Sequence, residues 1–405
     1  MNKKFRTAVA FLLCLNGFAF AQDNTDQPKD RFSGLMFGDF FYNVARDSAF
    51  SGAGAPQKTS LSGLKDQQGF QFRRIYFTYD HDISKQFVTR FRLEADQSAL
   101  TTGTATSAVT SVTSKGTDSS VTTSTKTGSV GAYQGKITVF VKDAFLRWKN
   151  VFEGSDLIFG IQPTTAYDIS EAWWGYRSLE KTIQDLHSVI PSRDLGIALR
   201  GKLTSDGMFN YWAMIANGDG NSPVSSKFKR YSLNLQVKPA DNWQFTINGD
   251  YRAQASVNDP TSTEIPKATE SHDIMTGALF VGYKEPNSYS FGAEGFIQSV
   301  AHDIPDSSSL PALKSRNVMG ISVWGSVNLQ SDLALVARYD YFDPNTDSHF
   351  KGDSRNYFIG GLEWKPDKNV SIIPNIQVET YESLPNGTSY DASVTARMTF
   401  YYVFM

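Results

Sequence analysis

The chain has 405 residues, with 39 Lys and Arg against 41 Asp and Glu, and a single cysteine. That balance gives no support to nucleic-acid binding by bulk charge, and one cysteine excludes a disulfide framework. After residue 21 no stretch approaches the roughly eighteen apolar residues of a membrane helix. An aromatic content of 13% and 31 glycines instead suit many short alternating strands.

Residues 1–21 read as a secretory address. Lys3, Lys4 and Arg6 supply a positive start, Ala8 to Leu15 an apolar run, and Ala19-Phe-Ala21 a cleavage site. A lipid anchor would use Cys14, but Leu13 stands where a small residue is needed. Removal of this segment takes away Lys3, Lys4 and Arg6 and moves the net charge from −2 to −5. Residues 22–32 are polar and predict a flexible periplasmic leader, and 33–405 one barrel domain.

From Ser33 onward about sixteen segments alternate with period two. Arg73 and Arg74 are adjacent, so strict alternation sends one of them outward. Phe87, Thr89, Phe91, Leu93 and Ala95 share a face opposite Arg90, Arg92, Glu94 and Asp96. The Ser/Thr/Gly tract 97–135 predicts a mobile outer loop with a crude hairpin through Val109 and Val121. Leu157-Ile-Phe-Gly-Ile-Gln162 is a strand that stops at Pro163, and a long excursion follows. Within it Leu179, Ile183, Leu186 and Ile190 fall at helical spacing, with Ser178 as cap and Pro191 as stop. Trp173, Trp174, Tyr176, Arg177, Lys181 and Arg193 surround that predicted helix. The returning strand sets Leu195, Ile197, Leu199 and Leu203 against Ala198, Arg200 and Lys202. Further strands follow around Tyr231, Trp243, Tyr289 and Leu333, and the last puts Phe400, Tyr402 and Phe404 opposite Arg397 and Thr399.

Two patterns favour a membrane barrel over a soluble sandwich. Trp148, Trp243, Tyr251, Tyr341, Trp364 and Tyr402 lie near strand ends, as interface girdles do. Connections also alternate long and short along the whole chain, the habit of outer loops and inner turns. The fold class expected is all-β: a transmembrane antiparallel barrel of about sixteen strands, with a short helix in the third outer loop.

Arg90, Arg92, Arg147, Arg200 and Lys202 are the candidate pore-lining cations, all on the inward face near the periplasmic end. The bland alternative is that they only neutralise Glu94, Asp96 and Asp143 and brace the wall. Trp173, Trp174, Tyr176, Arg177, Lys181 and Arg193 are the candidates for a constriction loop folded into the lumen. His81, His187, His272, His302 and His349 are scattered, and no hydrolase motif is present, so no enzyme, metal site or cofactor is expected. Asp343, Asn345 and Asp347 begin like a calcium loop, but Ser348 and Ser354 replace its glycine and glutamate.

The stretches Trp174-Gly-Tyr-Arg-Ser-Leu-Glu-Lys-Thr182 and Ser192-Arg-Asp-Leu-Gly-Ile-Ala-Leu-Arg-Gly201 resemble the phosphate-selective porin O and P family. The resemblance implies a sixteen-stranded, usually trimeric outer-membrane channel for anions. Expected partners are then small inorganic or organic anions, outer-membrane lipid and lipopolysaccharide, and two further copies of the chain. Competing expectations are a general porin with weak preference, and a barrel that anchors an enzyme or adhesin.

Overall fold

The computed structural model describes residues 29–50, 59–61, 63–96, 104–115, 118–129, 138–306 and 312–405. Residues 1–28, where the sequence predicts a secretory address and most of a leader, lie outside these. The wall starts with β1 (Asp30–Ala45), β2 (Gln68–Asp82) and β3 (Phe87–Asp96). A separate hairpin, β4 (Thr104–Lys115) with β5 (Asp118–Ser129), occupies the Ser/Thr tract, with Val112 opposite Val121. The wall resumes with β6 (Thr138–Phe152) and β7 (Ser155–Pro163), followed by α1 (Asp168–Trp174) and α2 (Ile183–Leu186). Next come β8 (Arg193–Lys202), β9 (Phe209–Ala216), β10 (Arg230–Val237) and β11 (Trp243–Arg252). The two-residue strands β12 (Val257–Asn258) and β13 (Thr269–Glu270) pair within one loop. β14 (Ile274–Glu285), β15 (Tyr289–Pro305), β16 (Leu313–Gln330) and β17 (Leu333–Asp343) continue the wall. It ends with β18 (Arg355–Asp367), β19 (Val370–Tyr381) and β20 (Ser393–Val403).

Sixteen of these strands form one closed antiparallel barrel, in which β20 returns to pair with β1 from Leu35↔Val403 to Ala45↔Val394. Closure satisfies every strand edge, which a hydrocarbon environment requires because it offers no hydrogen-bond partners. Burial is inverted relative to a soluble protein. On β11 the apolar Phe245 and Ile247 are 38% and 61% exposed, while Gln244 and Asn248 are 1% and 2% exposed. The apolar side chains therefore form the outer belt and the polar ones line the interior. No helix among the described residues is long and apolar enough to cross a membrane. A concavity of about 1840 Å³ is on this outer belt among Leu199, Leu233, Ile247, Leu279 and Ile297, and is not part of the lumen.

Among the departures from strict alternation and loop length, three bear on the sequence expectations. On β2, Phe37 pairs with Arg74 and Gly38 with Phe72, so Arg73 is an extra, unpaired residue. On β6, Arg92 pairs with Asp143 and Leu93 with Val141, leaving Lys142 extra in the same way. Each bulge turns two consecutive charged residues inward. The expectation that one of Arg73 and Arg74 faces outward is thus incorrect. The sixth outer connection is also shorter than the sequence suggests. Ile304 pairs with Lys314 beyond a register shift, and Arg316 binds Asp303 at 2.5 Å, so the hairpin extends past the wall.

Candidate functional site

The connection 164–192 lies inside the barrel. α1 has Asp168 and Glu171 in its first turn, where negative charge suits the helix N-terminus, and it ends at Gly175 in the left-handed conformation (φ 72°). The predicted helix from Leu179 to Ile190 is not formed; only Ile183–Leu186 makes a turn of helix. The cause is competition for backbone carbonyls. Arg73 donates to the carbonyls of Ser178 and Leu179 at 2.7 and 2.9 Å, and Arg338 to that of Lys181 at 2.5 Å. The Trp174 indole donates to the Glu180 carbonyl at 2.9 Å. Two wall side chains and one from α1 thereby occupy acceptors that helical bonds would use.

The loop spans the interior. Thr165 donates to Asn248 on β11, the amide of Ile183 to Glu294 on β15, and Tyr176 to Glu363 on β18. Trp174 and Leu179 pack with Trp324, Val336, Tyr357, Ile359 and Ile373 in an apolar cluster that fills the side of the lumen lined by β14 to β19. Leu61, from the connection after β1, completes the cluster, and Thr59 beside it donates to Glu379 at 2.5 Å. A second outer connection therefore also reaches inward, which no feature of the sequence had indicated. Glu180 lies 3.6 Å from Arg73 and 3.9 Å from Arg397. Burial alone would raise its pKa, but these guanidiniums outweigh burial and push the carboxyl down to about 2.

Open space remains against β1, β2, β3 and β6. A cavity of about 480 Å³ is bounded by the loop and these strands, with β18 to β20 closing one side. Six basic side chains line it, Arg92, Lys142, Arg177, Arg193, Lys365 and Lys368, against three acidic ones, Glu171, Asp185 and Glu363. Arg177 reaches Glu171 at 2.9 Å and Asp185 at 3.0 Å. Arg193 holds Asp143, which Arg92 also approaches at 3.3 Å. Lys142 binds Glu94 at 2.9 Å, and Lys365 binds Glu363 at 3.1 Å.

Arg90, Arg92, Arg147, Arg200 and Lys202 share the inner face of β3, β6 and β8, in two electrostatic kinds. Arg90 grips Asp80 at 2.7 and 3.0 Å, Arg147 binds Asp156, and Arg92 donates to Thr78 at 2.8 Å in addition to its contact with Asp143. Arg200 and Lys202 are exposed, and among the described residues neither has a carboxylate within ion-pairing distance. The Arg200 guanidinium lies 4.9 Å from the centre of the Trp212 ring. Only Arg92 of the five borders the cavity, and of the loop candidates Tyr176, Arg177 and Arg193 do. Trp173 and Trp174 pack into the apolar side, and Arg193 is the first residue of β8. Lys142, Lys365, Lys368, Tyr76 and Tyr401 also line the cavity and are not among the sequence candidates. The doublet Lys142-Asp143 mid-strand, like Arg73-Arg74, was a legible sign of a bulge.

The other candidates stay apart. His81 meets Asp30, His272 meets Asp303, and His187 stacks on Phe342 with ring centres 3.6 Å apart. Among the described residues no group of three or more His, Cys, Asp or Glu is suited to a metal ion. Asp343 and Asn345 accept backbone hydrogen bonds in local turns, and Asp347 binds Lys314 at 2.6 Å.

No protein-family model matches the sequence, and no curated protein sequence does. Solved structures do match. The outer-membrane channel DcaP of Acinetobacter baumannii is 11% identical at a TM-score of 0.57, over 93% of this chain and 97% of that one. An anion-selective porin from Comamonas acidovorans is 9% identical at 0.57, over 93% of this chain and all 100% of that one. The trimer form of OmpT from Vibrio cholerae is 11% identical at 0.52, over 94% and 100%. At such identities the likeness establishes the fold alone, a closed sixteen-stranded barrel like that of these channels.

Proposed function

We propose that this chain is an outer-membrane porin through which small hydrophilic solutes diffuse passively, with a lean towards anions, phosphate among them. The observation that carries this reading is the cavity beside the inward loop, where basic groups outnumber acidic ones six to three. Fixed charges in a narrow, low-dielectric passage raise the local concentration of oppositely charged solutes. The loop would then serve as the constriction, and Arg90, Arg92, Arg147, Arg200 and Lys202 as the approach to it. A homotrimer embedded in lipid and lipopolysaccharide is the assembly we favour, by likeness to the trimeric OmpT. The anion lean parallels the Comamonas porin, whose description names that selectivity.

A second reading has support of its own. Arg90, Arg92 and Arg147 each face a carboxylate, which favours a general porin of weak preference. Single-channel recording across a salt gradient separates the two. A reversal potential on the anion side supports the first reading, and one near zero the second. An enzyme or adhesin on this scaffold would instead give no ion current.

A further inference from the structure

We propose that the cavity beside the inward loop binds organic anions with an apolar or aromatic body in preference to inorganic phosphate. This rests on the channel reading above and names a solute class for it. Three observations converge. The first is size. About 480 Å³ falls in the range of small-molecule pockets, roughly 300–1,000 Å³, and is far more than a tetrahedral ion can fill.

The second is the state of the cations. Arg177 already spans Glu171 and Asp185, Arg193 and Arg92 share Asp143, and Lys142 holds Glu94. A compact, strongly hydrated anion must compete with these carboxylates for donors and meets no preorganised guanidinium fork to replace its water. The net positive field attracts anions, but these donors do not form a dehydrating cage.

The third is the remaining lining. Phe37, Tyr76 and Tyr401 face the same space, with Leu35 and Val403 beside them. The Arg92 guanidinium lies 5.6 Å from the centre of the Tyr76 ring, so charge and aromatic surface already adjoin. A hydrated inorganic ion gains nothing from such walls. A ring bearing a carboxylate can lay its body on the tyrosines and keep its hydrated head in the positive field.

The test uses the purified full-length protein in planar bilayers, with chloride as the current carrier and benzoate, acetate or inorganic phosphate added. Benzoate is expected to interrupt the current at about tenfold lower concentration than acetate or phosphate. Tyr401→Ala is expected to narrow the benzoate-to-acetate ratio. Equal potency of benzoate and acetate, or a stronger effect of phosphate, overturns the inference, and this wild-type comparison decides the matter even if the variant fails to insert. An inserted protein that carries no chloride current overturns the channel reading and the inference with it.

Discussion

Asp143 is fully buried between two guanidiniums, Arg193 in contact and Arg92 at 3.3 Å. Replacing it with asparagine leaves both cations without their shared counter-charge. Breaking a buried charge group in this way typically costs about 3–5 kcal/mol. Asp143→Asn is therefore expected to lower the urea midpoint of the detergent-solubilised barrel while moving the reversal potential further towards anions. A midpoint equal to wild type would show that Arg92 and Arg193 find other partners. The double change Arg90→Glu with Arg92→Glu runs the other way. It adds negative charge beside Asp80 and Asp143 and should shift the reversal potential towards cations, most strongly in dilute salt. At physiological salt screening sets in over about 8 Å, so the same change at Lys227 and Lys229, on an outer connection, should do much less. Similar shifts for both pairs would make the basic wall a brace. Glu180 sets a pH limit. Its folded pKa is depressed from 4.5 to about 2, so its stabilising contribution is complete above about 4.5 and is lost as pH falls towards 2. The loop should therefore loosen and conductance rise only as pH falls from about 4.5 towards 2, and conductance unchanged over that interval would mean that this carboxyl does not anchor the loop.

At the scale of elements, the inward connection is held by polar clamps on one side and an apolar cluster on the other. Deleting residues 173–188 removes Trp174 and Leu179 from that cluster and opens the lumen, so conductance should rise markedly in protein that still inserts. Unchanged conductance in such protein would mean that the loop does not limit flow. The strands were legible because alternation is a local property, visible as Phe245, Ile247 and Gly249 against Gln244, Thr246 and Asn248. The loop's position was legible from its length and its place after the fifth wall strand. That it carries a short helix was legible too, but the placement was not, because Arg73, Arg338 and Trp174 take the carbonyls of residues 178–181, and two of those three come from distant strands. The basic wall was legible as a set of inward residues, but which of them keep a carboxylate partner depends on cross-strand register such as Arg90↔Asp80, which one chain segment does not encode.

For the whole molecule, closure is the critical event. β20 pairs with β1 over ten residue pairs, and its outward ring row fits against glycines of β1. A Cβ on Gly38 would come within 2.5 Å of the Gln71 carbonyl and 2.6 Å of the Phe400 ring, and one on Gly34 within 2.4 Å of Phe404. Deleting residues 401–405 should therefore abolish heat-resistant, membrane-inserted barrel, as read by gel mobility without boiling. Normal levels of folded protein would make the last pairs dispensable. Gly38→Ala is expected to lower the yield of closed barrel without altering strand content in the population that does fold.

The bulges at Arg73 and Lys142 make the wall behave like a message with two frameshifts already written into it. A one-residue deletion inside a strand normally inverts every side chain on one flank, exchanging lipid-facing and water-facing sets. At these two sites the extra residue can be removed and the flanks stay in frame. A single-codon deletion scan through β2 should consequently keep a closed barrel on loss of Arg73, with residues 178–180 of the loop unclamped, and lose it on loss of Thr78. The solute path of such a barrel can thus be re-edited by codon loss as well as by substitution.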